Sequence, residues 1–158
     1  MKKILFTVLA TLGINIGAKS QTERLDSGLK NILKITADRF ENNNHAFLIN
    51  LAKDNVVTVQ IVHGALIEQI STPTNEFNFS INLPFDNEQE ELTKFKELKI
   101  SDEFKYYEFD GIPCYVMNFG NDQKLTYEIV LDVLREVYHF EKSDIFEFEI
   151  FDQGPIRR

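Results

Sequence analysis

Any chemistry in this chain has to come from three histidines, one cysteine and a surplus of carboxylates. His45, His63 and His139 make no His-Glu-x-x-His run and no other paired spacing, so a bound metal finds no support and no cofactor is implied. His45 and His63 fall at opposite ends of an expected hairpin pair, where surface histidines beside turns are the ordinary outcome. Cys114 lies in a β-pattern between Pro113 and Tyr115. A catalytic thiolate needs exposure and a nearby histidine, and a buried thiol acting as a small hydrophobe fits the pattern better. Glu88, Glu90 and Glu91, then Asp102 and Glu103, put acids side by side, and paired acids can hydrolyse glycosides. In a chain with 25 Asp and Glu, however, such neighbours arise without function. Asp86-Asn87-Glu88 lacks the later ligands and central glycine of a calcium loop, and seven scattered glycines form no phosphate loop. The remaining candidates are Tyr106, Tyr107 and Tyr115, grouped around Asp110-Gly111. An exposed tyrosine patch there would suit recognition of a partner, and ordinary cross-strand packing is the competing explanation.

The N-terminus says more about compartment than these residues do about reaction. Lys2 and Lys3 precede an uncharged run from Ile4 to Ala18, and Ala18-Lys19-Ser20 places small residues where a signal peptidase requires them. Residues 1–20 therefore read as a secretory signal, with the exported chain starting at Gln21. The run holds Asn15 and two glycines and falls short of the roughly 20 apolar residues of a membrane span, so no permanent membrane anchor is expected. Cleavage removes three lysines and no acid, moving the net charge from −8 to −11. Nucleic acid is an unfavoured partner, because phosphate binding needs clustered Lys and Arg. The single cysteine is not at the first mature position, as a lipid anchor would need, and it has no second thiol for an internal disulfide. Folding must then rest on a hydrophobic core, for which the 138 residues after Ser20 suffice.

The elements that would position these side chains follow from hydrophobic period. Leu25, Leu29, Ile32, Leu33 and Phe40 share a helical face within residues 22–42, and Asn42-Asn43-Asn44 stops it. Residues 45–52 and 56–62 flank Lys53-Asp54-Asn55 as a hairpin, and residues 65–71 are expected as a third strand. In residues 76–83, Phe77, Phe79, Ile81 and Leu83 alternate with Glu76, Asn78, Ser80 and Asn82, which predicts one buried and one wet face. Residues 71–75, with Pro73, are expected to loop. A short helix spans residues 87–98, and residues 104–109 and 112–119 surround Asp110-Gly111, the dipeptide suited to a type I′ turn. An apolar stripe from Leu125 to Tyr138 predicts the closing helix, started by Asn121-Asp122. Residues 144–151 form the last strand before a frayed basic tail. The fold class is α+β: one domain over residues 21–158, with a mainly antiparallel sheet of about five to seven strands. On it pack an N-terminal helix, a short middle helix and a long C-terminal helix.

This order, together with the closing helix Leu125-Thr126-Tyr127-Glu128-Ile129-Val130-Leu131-Asp132-Val133-Leu134-Arg135-Glu136-Val137-Tyr138, resembles the YbjN-like and type III secretion chaperone superfamily. The hairpin after His45 is similar as well. The resemblance spans most of residues 22–151. It implies a role in binding another polypeptide and carries no catalytic residue with it. Its members act in the cytosol, whereas this chain reads as exported. The expectation is a non-enzymatic envelope protein, chaperone-like or inhibitor-like, that holds a protein partner. The alternative is a small hydrolase or ligand carrier whose pocket is assembled from scattered residues.

Overall fold

The computed structural model describes residues 16–67 and 76–156. Residues 4–15 of the apolar run of the expected signal and the Pro73 loop fall outside the described residues, as do the last residues of the expected strand at 65–71 and the final two arginines. The chain is α+β, with a seven-stranded antiparallel sheet and three α-helices among the described residues. Its strands are β1 (Ile16–Arg24), β2 (His45–Lys53), β3 (Val56–Val62), β4 (Ser80–Pro84), β5 (Lys105–Phe109), β6 (Ile112–Asn118) and β7 (Ile145–Pro155). The helices are α1 (Leu25–Phe40), α2 (Gln89–Glu97) and α3 (Gln123–Glu136). Across the sheet the strands run β1-β7-β2-β3-β4-β6-β5, so the last strand sits between the first two.

Local sequence explains most of the junctions. Asp54 and Asn55 take positive φ (51° and 63°) in the β2–β3 turn, and Asp110 and Gly111 (48° and 79°) make the β5–β6 turn that their types favour. Asp122 caps α3, its side chain accepting from the Leu125 amide at 2.9 Å. Helix α1 has no side-chain cap. Its first amides instead donate to backbone carbonyls just ahead of β7, Leu25 N to Asp144 O at 2.8 Å and Asp26 N to Lys142 O at 3.1 Å.

Several expectations need correction. Residues 22–24, expected to begin the first helix, belong to β1, a strand the hydrophobic pattern did not reveal. Gly64–Leu66 form a single 3-10 turn where a strand was expected. Asn78, Ser80 and Asn82 are buried (2, 0 and 3 % exposed), so the second face of β4 is not wet. Leu125 lies outside the buried stripe of α3, 36 % exposed. The closing helix has 14 residues against 16 in α1, so it is not the long one. β7 continues to Pro155, past the expected end at Phe151.

Apolar residues from all three helices join Phe47, Ile49, Leu51, Ile61, Phe79, Ile81, Phe146, Phe148 and Ile150 in one core cluster. The tightest approach is between α1 and β7. A Cβ on Gly28 would stand 2.2 Å from the Phe148 ring, so glycine is required there by contact and not by backbone angle. Gly28→Ala gains about 0.5–1 kcal/mol of helix propensity but overpacks the core at a cost of roughly 1–3 kcal/mol. The variant is expected to unfold at lower urea than the parent; a higher midpoint would contradict this packing.

Candidate functional site

Because side chains alternate along a strand, the register fixes which residues share the face opposite the helices. One row crosses all seven strands: Ser20, Glu149, Asn50, Gln60, Asn82, Val116 and Lys105, each opposite the next. The row beside it reads Phe151, Leu48, Val62, Ser80 and Asn118. Among the described residues no α-helix lies on this second face, and the helix-free face so defined has amides at its centre and an apolar cluster around them. That cluster comprises Leu48, Val62, Ile67 and Val116, with Leu66, Tyr107 and Phe151 packed against it, and contains no α-helical residue.

Asn50, Gln60 and Asn82 are at most 3 % exposed. Gln60 Nε2 donates to Asn50 Oδ1 at 2.9 Å, and Tyr107 Oη donates to Asn82 Oδ1 at 2.9 Å. Asn50 Nδ2 and Gln60 Oε1 remain buried without a hydrogen-bond partner. Turning both carboxamides over exchanges their roles but still leaves one donor and one acceptor unpaired. A buried unpaired polar atom costs about 1–3 kcal/mol. Two of them side by side mark a place where the fold has given up stability.

A second polar group, by contrast, is fully satisfied. Asn78 Oδ1 accepts from the Gly64 amide and Asn118 Nδ2, both at 2.8 Å, and from Ser80 Oγ at 3.4 Å, tying the start of β4 to the ends of β3 and β6. This knot is structural.

The tyrosines singled out from the sequence do not form one patch. Tyr107 is on the helix-free face, half-buried and bonded to Asn82, and burial pushes its hydroxyl pKa upward. Tyr115 and Tyr106 belong to the helix-bearing face, where their rings meet edge-on at 5.4 Å. Of the two, Tyr106 is the exposed one, at 52 %. Cys114 is buried beside Tyr107, and desolvation raises its thiol to about 11, which keeps it protonated.

The histidines are scattered. His45 Nδ1 meets Asp152 at 2.9 Å, and His139 Nε2 meets Lys94 Nζ at 2.9 Å. His63 corrects the expectation of a surface histidine: it is 1 % exposed, with its ring edge-on to Phe47 at 5.8 Å. Its Nδ1 accepts from the Ala65 amide at 3.1 Å, which leaves the proton on Nε2. A shallow depression between Phe85, Glu88, Leu92 and Pro113 brings Asp86 near Glu88 but includes no histidine or cysteine. Among the described residues, no group of three or more His, Cys, Asp or Glu is placed to hold a metal ion, and no helix is long and apolar enough to cross a membrane.

The signal that marks Asn50 and Gln60 was present in the sequence. Each is the one amide inside a mainly apolar run, Phe-Leu-Ile-Asn-Leu-Ala and Val-Thr-Val-Gln-Ile-Val.

Burial lowers the His63 pKa below its ordinary 6.5, with a backbone hydrogen bond to Glu76 opposing the shift in part. The unfolded chain thus takes the proton first, so the stability this ring contributes is whole above pH 6.5 and is lost as pH falls from there toward the folded value. Urea midpoints should drop between about pH 7.5 and about pH 5.5, and His63→Gln should flatten that slope. Equal slopes would show that His63 is not responsible.

No family model matches the chain, and no curated protein or solved structure matches it either.

Proposed function

We propose that this chain is a non-enzymatic, exported binding protein of the cell envelope that holds a protein partner, in the manner of a chaperone or an inhibitor. One observation carries the reading: the unpaired donor of Asn50 and the unpaired acceptor of Gln60, side by side on the sheet face that bears no α-helix among the described residues. In an extended polypeptide, the N–H and C=O of one residue point the same way. One such residue, laid over the pair, accepts from Asn50 Nδ2 and donates to Gln60 Oε1, and its neighbours rest on Leu48, Val62, Phe151 and Tyr107. Main-chain recognition of this type holds many sequences, with side-chain pockets adding preference.

The reading applies to the chain cut after Ser20. Tyr107 is then part of the surface, while Tyr106 on edge strand β5 and Tyr115 on β6 lie on the opposite face. The same reading keeps the relation to the YbjN-like superfamily. With it goes the packing of an N-terminal helix, a short middle helix and a closing helix of 14 residues on one face of the sheet. A net charge of −11 after cleavage favours a basic partner segment.

The double substitution Asn50→Leu/Gln60→Leu tests this reading. Replacing both members of a polar pair by apolar groups of similar size is nearly neutral or stabilising, so urea midpoints should stay level or rise. Displayed random peptides enriched on the cut parent should no longer bind the double variant. Undiminished peptide binding, or no enrichment on the parent, would defeat the proposal, and saturable capture of a small polar molecule instead would favour a ligand carrier.

A further inference from the structure

We infer that the outer edge of β7 from Glu149 to Asp152 is a strand-addition site in the exported chain, filled by an extended segment of its protein partner. The inference rests on the export reading above. β1 pairs antiparallel with β7: Ile16 faces Asp152, Lys19 faces Ile150, Ser20 faces Glu149, and Gln21 to Arg24 face Phe148 to Ile145, with the register shifting between Ile16 and Lys19. The cut after Ser20 therefore falls inside a strand. It leaves Gln21 to Arg24 paired and removes the part of β1 opposite Glu149 to Asp152.

The stripped edge does not lose its shape. On its inner side β7 stays paired with β2, where Glu149 faces Asn50, Ile150 faces Ile49, Phe151 faces Leu48 and Asp152 faces Phe47. Ile150 is fully buried in the main core. The outward N–H and C=O groups are thus held extended and in line, with no conformational ordering left to do. Such an edge is a template for another strand, and adding a strand supplies main-chain hydrogen bonds that depend little on sequence.

The full chain shows that the edge accepts a strand, because residues 16–20 occupy it. The occupant must run antiparallel to β7 and end where Gln21 begins. Opposite Glu149 it points to the helix-free face, beside Glu147 as well, so a basic residue at that position complements the edge; a segment bound there continues onto the Asn50–Gln60 row.

The probe is a labelled synthetic peptide of residues 14–20, added to the chain cut after Ser20 and to the full chain. It should bind the cut chain and not the full chain, whose edge is filled. The same peptide N-methylated on the amides that face β7 should bind at least about tenfold more weakly, since each lost hydrogen bond is worth about 1 kcal/mol. Absence of binding to the cut chain, or equal binding by the methylated peptide, overturns the inference. Self-association of the cut chain that the peptide reverses also overturns it, by making a second copy the occupant. Should the cut chain not fold, the full chain carrying Lys19→Pro, which unseats its own segment, takes the same test with the same outcomes. The mass of the native N-terminus decides the export reading separately: an intact Met1 would sink that reading whatever the peptide does.

Discussion

The pairing of β7 with β2 joins residues about a hundred apart in the chain, and every other feature of the domain leans on it. Until β7 arrives, β1 has no partner, and the first amides of α1 lack the carbonyls of Lys142 and Asp144. Phe148, carried by β7, is also the side chain that Gly28 makes room for. Strands β2 to β6 pair over shorter separations, with β4 skipping β5 to meet β6, but the sheet is completed only by the C-terminal strand. Topologies closed by such distant contacts fold slowly, since loop closure has to be met before the contact rewards it.

The same strand separates the molecule into two unequal faces. Toward the helices, its Phe146, Phe148 and Ile150 are fully buried among apolar neighbours. Toward the other side it presents Glu147, Glu149 and Phe151, leading into the row of amides. A core built only for stability would put apolar residues at Asn50 and Gln60, as it does at Ile49 and Ile61 next to them. Their persistence as a half-satisfied pair is what singles out this face, because a polar network with missing partners is less stable than an apolar one.

The α+β class, the two tight turns, the capped third helix and the buried thiol were legible in the residues, because each depends on local spacing or on a dipeptide with a backbone preference. β1 was not. Its Ile-Gly-Ala-Lys-Ser-Gln-Thr-Glu-Arg has no apolar alternation, and its reason to be a strand lies at the other end of the chain. The wet face expected for Asn78, Ser80 and Asn82 failed for a related reason. Alternation tells which side of a strand is apolar but not whether the polar side is also enclosed, and here one part closes into the Asn78 knot. The tyrosines were grouped by nearness in sequence, while the pleat sends Tyr106 and Tyr107 to opposite faces. The amides at positions 50 and 60 were visible as interruptions of apolar runs, but only the strand register shows that they are neighbours.

The central claim is the proposed one, that the Asn50–Gln60 pair, buried in the full chain, is where a partner polypeptide docks on the exported form. Solvent exchange of the Asn50 and Gln60 side-chain amide protons, measured by NMR on the cut chain, addresses it most directly. The account predicts fast exchange at both, slowed when a polypeptide segment is bound. Slow exchange in the cut chain alone would show the pair to be an interior feature, and the account of this face would be wrong.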